Sequence, residues 1–485
     1  MSLSASLSNA MSGLTASSRA AEVVSSNVAN AMTEGYARRE INLAALSLGG
    51  AGKGVVVTGI NRVVNQSLLA DRRVAEAGVG DRDARTAFLQ RLESTLGTSD
   101  SASSVLGRVA AFDSALIEAS SRPESEARLS NVLVAAQSLA SGINAASTDI
   151  QAARASADDQ IETEVATLNA GLARIAELNV QIRAQFGVSR DATALMDQRQ
   201  QLVDQLASIV PLREVDRGHN QIALYTTGGI QLLDGRAAVI EFTPVGVVTP
   251  DMTLASGSLS GLTLNGRSLP TSGAASMIGG GSLAAHFAVR DELAPAAQTK
   301  LDAVARDLVE RFADPAIDTT RAPGDPGLFT DAGSAFVATD EVGLSQRLAL
   351  NGAVDPAQGG ALWRLRDGMG AVAPGLSGNS ALLSSLQTAL AAPRAPVSGG
   401  FMPGARSFSS LNADVISGVS TARLGAEAES SFATARATAL QQQELENGVD
   451  TDQEMQKLLL IEQAYSANAR VIQTAGDMID ILMGI

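Results

Sequence analysis

Few residues of this 485-residue chain have a type and spacing that could do chemistry. Lys53 lies in GGAGKG (Gly49–Gly54), the kind of glycine-rich loop whose amides cradle phosphates. Ser47, however, stands where a P-loop has its first glycine, and Gly54 replaces the Ser or Thr that should follow the lysine. A tight turn is the better reading. GGGSLA (Gly279–Ala284) has the glycine spacing of a dinucleotide loop with Asp302 downstream, yet no buried strand precedes it and Asp302 falls in a predicted helix. The two imidazoles, His219 and His286, sit in no zinc-binding spacing, no GxSxG nucleophile elbow occurs and there is no cysteine. The sequence therefore predicts no catalytic residue, no metal site and no cofactor.

Composition narrows the classes further. Hydrophobic residues make up 45% of the chain and aromatic residues only 3%, so the apolar content is mostly Ala, Leu, Val and Ile, suited to long packed helices. With 36 basic against 51 acidic residues the net charge is -15, and no basic run is present, which argues against nucleic acid. No stretch approaches the roughly 20 uninterrupted apolar residues of a membrane span. The start of the chain, MSLSASLSNAMSGLTASS, lacks the basic leader and compact apolar block of a cleaved signal.

The elements that must position any site are mainly helical. From Ser2 to Ala31 small and apolar residues recur every seven residues, one row being Leu7, Leu14, Ala21 and Val28 and its companion Leu3, Ala10, Ser17, Val24 and Ala31. Two such rows make a narrow seam for another helix. The last segment repeats the design: after Gly448, with Thr451 and Glu454 as a capping box, a helix to about Met483 carries Leu458, Tyr465, Ile472 and Ile479 beside Ile461, Asn468, Ala475 and Leu482. Asn468 inside the seam is the kind of residue that sets register and partner number. Ile41–Leu48 and Val55–Ile60 about a glycine-rich turn read as a hairpin arm.

A long helical block follows from about Gln66, with a row of Ile161, Leu168, Ile175 and Ile182 beside Val165, Leu172 and Asn179, and it closes before Pro211. Alternating Ile222 and Leu224, Gly228-Gly229 and Asp234-Gly235 mark β structure as far as Ile278. A helix over Ser282–Phe312, a Pro- and Gly-rich stretch over 314–404 and a helix over Ser409–Asn447 complete the chain. The expected fold is mainly α with β-rich insertions: terminal coiled-coil helices and arm (1–65 and 448–485), a discontinuous long-helix domain (66–210, 280–313 and 405–447), a β-rich insertion (211–279) and an irregular outer insertion (314–404).

Two terminal motifs point to function. Ser26, Asn27, Val28, Ala29, Asn30, Thr33, Gly35 and Tyr36 resemble, in order, the SNNIANxxTxGY core shared by flagellar rod, hook and hook-associated proteins, with Glu34 where Pro is common. Gln463, Ala464, Tyr465, Ala467, Asn468, Ala469, Val471, Ile472, Thr474 and Met478 resemble the same proteins' C-terminal helix. Leu195–Ala207 (LMDQRQQLVDQLA), Gly280–Leu308 and Asn447–Glu454 are similar to segments of the hook-associated protein 1 family in particular.

That resemblance implies an extracellular structural subunit of the flagellum, without enzymatic activity, at the hook-filament junction. It would form a ring or layer of like subunits between the hook protein and a second junction protein, hook-associated protein 3. It would be exported by the flagellar type III route without a cleaved signal, its C-terminal helix guarded by an export chaperone. The assembly interface would be the terminal seams, Leu7, Leu14, Ala21, Asn27, Val28, Asn30, Tyr36, Leu458, Ile461, Tyr465, Asn468, Ile472, Ile479 and Leu482. These seams are then expected to find their partners in neighbouring subunits, in place of a plain bundle in which the two helices pair with each other. Hook or another axial protein, and a secreted coiled-coil adhesin or interaction module, are the competing readings.

Overall fold

The computed structural model describes residues 3–33, 35–48, 51–98, 101–187, 191–273 and 276–483. It opens with helix α1 (Leu3–Ala29), a hairpin of β1 (Arg38–Leu48) and β2 (Ala51–Val63), and helices α2 (Gln66–Leu96), α3 (Val105–Ser121), α4 (Glu126–Gly187) and α5 (Thr193–Ile209). Short strands follow: β3 (Leu212–Asp216), β4 (Ile222–Thr226), β5 (Gln231–Asp234), β6 (Arg236–Ala237), β7 (Ile240–Glu241), β8 (Leu262–Leu264) and β9 (Arg267–Leu269). After α6 (Ser282–Ala288) and α7 (Ala294–Ala313) come β10 (Phe329–Asp331), α8 (Leu344–Arg347), β11 (Leu348–Leu350), α9 (Arg364–Asp367) and α10 (Ala381–Ala391). Two long helices, α11 (Phe408–Glu446) and α12 (Thr451–Met483), end it. The fold is mainly α, with small antiparallel sheets β3-β4-β5-β6 and β7-β8-β9 inserted between helices.

Helix α4 is the spine. Its 62 residues run about 90 Å at 1.5 Å per residue. Buried residues at alternating three- and four-residue steps line it from Leu129 to Ile182, with one irregularity, the successive four-residue steps Ala153, Ala157, Ile161, Val165. That irregularity divides two cores. Ala157 and everything before it pack with α3, α7, α10 and the start of α11, around the ring cluster of Phe112, Phe312 and Phe329 (centroids 5.3–6.0 Å apart). Ile161 to Ile175 pack with α5, α6 and the inner faces of the two sheets, and Leu178 and Ile182 form a small third cluster with Ala192 and the start of α5. The segment 314–404 adds Leu328, Phe329, Leu348, Leu365, Leu383 and Leu386 to the first core and has no core of its own.

The helix expected over Ser282–Phe312 is interrupted by a π turn over Val289–Leu293. Pro295 is the cause: it has no amide hydrogen and crowds the preceding turn. Arg290 O, which loses its helical donor there, accepts instead from Arg154 Nε (2.9 Å). Arg154 is buried and also donates to Gln151 Oε1, Thr249 O and Met252 O. Arg290 in turn pairs with Asp158 at 2.6 Å.

α11 lies along α2, antiparallel, joined by Arg72–Glu444, Arg82–Glu429 and Arg423–Glu93. The terminal helices also pair: α12 packs against α1, and β2 lies along α1. This corrects the expectation that the terminal seams stay unpartnered within one chain. The reason lies in the small residues of α1, which let the backbones approach: a Cβ on Gly13 would fall 2.7 Å from the Asn468 side chain. Asn468 therefore reads Gly13 of its own chain.

Candidate functional site

The N-terminal motif is built around Asn27, which is fully buried and uses its whole hydrogen-bonding capacity. Its Nδ2 donates to Arg39 O and to Glu454 Oε2, both at 2.9 Å. Its Oδ1 accepts from Tyr36 OH and Arg39 N, again at 2.9 Å. One side chain thus ties the end of α1 to the start of β1 and the first turn of α12. Asn30 Nδ2 closes the end of α1 on Ser26 O, the Tyr36 ring carries the Arg39 guanidinium at 4.8 Å, and Gly35 has φ +75°, where a Cβ would strike Gln201. Glu34, the departure from the motif, lies outside the described residues.

At the start of α12 the capping differs from expectation. Asp450, one residue before Thr451, accepts from the amides of Asp452 and Gln453, because a carboxylate is the stronger partner for a helix N-terminus. Glu454 is released from a capping box and is buried between Asn27 and Lys457, its Oε1 2.7 Å from Lys457 Nζ.

The seam residues divide into three groups. Leu7, Leu14, Ala21, Val28, Asn30 and Tyr36 are half-buried, as are Leu458, Ile461, Asn468 and Ile472 on α12, and Ala475 is buried. Tyr465 sits at the edge of the pair with 44% exposure. Ile479 and Leu482 are exposed; the antiparallel register set by Asn27–Glu454 and Gly13–Asn468 brings Leu3 opposite Met478.

Two features were missed in the sequence. Ala16, Ala20 and Val23, outside both rows of α1, are buried because the hairpin covers a second side of that helix; Val55 N donates to Ser12 Oγ at 3.1 Å and Gly54 sits against Ser12. On α12, Leu460 (65% exposed), Ala464, Ala467, Val471 (45%), Met478 (50%) and Leu482 (64%) form a second stripe, with steps of four, three, four, seven and four residues. It lies beside the face turned to α1 and is uncovered. The C-terminal motif alternates between the two faces, since Tyr465, Asn468 and Ile472 belong to one and Ala464, Ala467, Val471 and Met478 to the other.

The arm is rooted on α5 through charges the sequence reading passed over. Asp197 accepts from Arg39 Nη2 (2.9 Å) and Arg62 Nε (2.7 Å), Gln200 from Arg62 Nη2 (2.7 Å), and Asp204 from Arg72 and Arg73 (2.7 and 2.6 Å). Asp197, Gln200 and Asp204 share one face by their spacing of three and four, the signal available in DQRQQLVD. Burial pulls Arg62 below its ordinary range against the attraction of Asp197, and brings Arg199 down to about 10.

The residues first considered for chemistry are accounted for structurally. Lys53 is in β2, and Gly49 and Gly50 lie outside the described residues. Gly281 lets the start of α6 touch Ile209 O, and the buried Asp302 accepts from the amides of Gly343 and Ser345, the Ser345 hydroxyl and Gln298. His219 is in the β3–β4 turn. His286 Nε2 lies 3.6 Å from Glu164, which accepts from Ser282 Oγ at 2.5 Å and whose other oxygen has no partner. Burial raises Glu164 to about 7 and lowers His286. Glutamate, not histidine, is central, so this is no nucleophile relay. Among the described residues no cluster could hold a metal and no helix is long and apolar enough to cross a membrane.

Comparison with known proteins places these features. Residues 89–327 match the family model described as flagellar hook-associated protein FlgK helical domain, residues 7–36 that of flagella basal body rod protein, and residues 441–485 that of flagellar basal body rod FlgEFG protein C-terminal. Flagellar hook-associated protein 1 of Salmonella typhimurium is 28% identical over 243 residues, 49% of this chain and 44% of that protein. Its namesake in Bacillus subtilis is 28% identical over 221 residues, 43% of each, and that of Escherichia coli 25% over 285 residues, 54% of this chain and 52% of that one. The chain spans about half the length of the curated relatives it matches. The solved structure titled as the flagellar hook junction protein FlgK from Burkholderia pseudomallei aligns with a TM-score of 0.45 at 20% identity, over 54% of this chain and 47% of that one. With the helical-domain match over its middle, rod-type matches at both ends and relatives that share one name, the chain belongs to the flagellar hook-associated protein 1 family.

Proposed function

We propose that the chain is a structural subunit of the bacterial flagellum, not an enzyme, which assembles with further copies into the layer joining hook to filament. The observation that carries this reading is the second stripe of α12. One face of the C-terminal motif is satisfied within the chain by α1, while Leu460, Val471, Met478 and Leu482 are left in water, an arrangement suited to a helix that has one more neighbour to meet. The flank of α1 facing away from its covered sides carries Ser4, Ser8, Thr15 and Ser18, small enough for a second helix to come close, with the exposed Met11 among them as an apolar contact.

In this reading residues 1–65 and 448–485 form the polymerising part and 66–447 the outer body. Hook protein lies on one side, hook-associated protein 3 on the other, and an export chaperone covers the α12 stripe before type III export. The assembly residues shift from the row of Ile472 and Ile479 to that of Val471 and Met478. Val471→Asp with Met478→Asp tests this in cells lacking the native subunit. The variant should keep the melting curve of the monomer and fail to support filaments; filaments of normal number on such cells would refute the reading.

A further inference from the structure

The terminal unit, α1 with the β1–β2 arm and α12, shares no hydrophobic core with the rest of the molecule. None of its residues belongs to any of the three hydrophobic clusters of the body. Covalently it crosses to the body twice, at 64–65 and in the four-residue link 447–450 between α11 and α12. Among the described residues, side-chain hydrogen bonds between the terminal unit and the body converge on α5. Asp197 takes both Arg39 and Arg62 and lies 3.4 Å from the amide of Ala37, while Gln200 supports Arg62.

A second junction lies beside it, wholly within the body: Asp204 takes both Arg72 and Arg73, of which Arg72 also meets Glu76 and Glu444, and Arg73 also meets Glu214. At Asp197 likewise two guanidinium groups share one carboxylate, but here both come from the arm and the carboxylate from the body. Beside it a cleft of about 550 Å³ opens, with Ile60, Asn61 and Arg62 on the arm side and Met196, Arg199, Glu214 and Asp216 on the body side. Arg199 Nη1 donates to Asn179 Oδ1 and Asn220 O, and no carboxylate pairs with it among the described residues.

We propose that the terminal unit swings as a rigid piece on its two covalent crossings, that Asp197 is the latch holding it in the orientation seen here, and that the cleft is the room into which it moves. Packed cores resist continuous deformation, so an angular adjustment concentrates where the contacts are few and ionic. The Asn27 network keeps α1, arm and α12 together during the motion, because every one of its bonds lies within the terminal unit. The hinge belongs to the single chain, whatever it assembles with.

The chain has no cysteine, so Ser25→Cys on α1 and Ala184→Cys on α4, both exposed, give a clean pair of spin labels in the full chain. With the native latch their distance distribution should be a single narrow peak. Asp197→Asn should broaden and displace it, and amide exchange around Ala37 should quicken by about tenfold, the equivalent of 1.4 kcal/mol. Melting of the helix signal reports separately on the body. Should D197N lower it, Arg39→Gln leaves α5 intact and must give the same broadening. An unchanged narrow peak in D197N with a native body, or in R39Q, overturns the latch; a broad peak already in the native chain overturns it equally.

Discussion

Asn27 and Glu454 lie 427 residues apart in the chain and share a 2.9 Å hydrogen bond at the root of the terminal helix pair. Each is buried, and each holds a further partner, Asn27 the Arg39 backbone and Tyr36, Glu454 the Lys457 ammonium. The two ends of the chain are thereby locked in one register, with the motif of one end reading the first turn of the other.

Asn27→Ala removes four hydrogen bonds and strands Glu454, so opening of the terminal pair should become easier by on the order of 3 kcal/mol. Asn27→Asp should be worse, since a carboxylate cannot donate to Arg39 O and repels Glu454. Hydrogen exchange over residues 454–475 checks both, and equal protection in N27A and native chain would contradict the role given to Asn27.

Gly13→Ala should push α1 and α12 apart, because its Cβ would sit 2.7 Å from Asn468. Asn468→Ala makes the room. The pair should couple by about 1–2 kcal/mol in a double-mutant cycle read from exchange in α12, the double variant being more stable than G13A alone.

Glu164 makes the body sensitive to pH. The fold raises its carboxyl from 4.5 to about 7 by burial, so between those values the folded chain holds a proton that the unfolded chain has released. Its contribution is therefore full below about pH 4.5 and is lost as pH rises to about 7, a span of 2.5 units worth about 3 kcal/mol. His286 works in the opposite sense, since its lowered value takes stability away as pH falls through its own range. Glu164→Gln isolates the first effect: denaturation midpoints at pH 5 and 8 should draw together in E164Q, and an unchanged difference would count against it.

Arg154→Met should destabilise the body by on the order of 3 kcal/mol, since it leaves the buried Arg290 O and the part-buried Thr249 O and Met252 O without their donors. Pro295→Ala should restore part of that loss, because an amide at position 295 can reach Arg290 O across the π turn. Chemical denaturation of the two single variants and the double variant decides it.

Much of this was legible in the chain. The seven-residue rows placed α1, α12 and the second half of α4, where Ile161, Leu168, Ile175 and Ile182 are fully buried, and the terminal motifs carried the family. The pairing of α1 with α12 was not, because a seam records that a helix has a neighbour without saying in which chain. Asp197 escaped because a charged face on a helix usually meets water, and only the fold brings Arg39 and Arg62 to it. Pro295 was a visible signal inside a predicted helix, yet the sequence does not show that Arg154, 141 positions earlier, repairs the break. In 314–404 the apolar residues lie on short separate elements, of which only α10 carries a helical spacing, Leu382, Leu383, Leu386 and Leu390, and nothing in that spacing says that they fill the larger core.

The unbroken course of α4 through both cores makes that helix a ruler. Adding one residue between Ala157 and Ile161 would turn everything beyond it by about 100° and advance it by about 1.5 Å, so that the stripe from Ile161 to Ile182 would face solvent while the stripe from Leu129 to Ala157 stayed in place. Helical phase therefore forbids small changes of length there, although each half by itself is an ordinary packed helix. A change of length that keeps both cores must fall in the connections between elements.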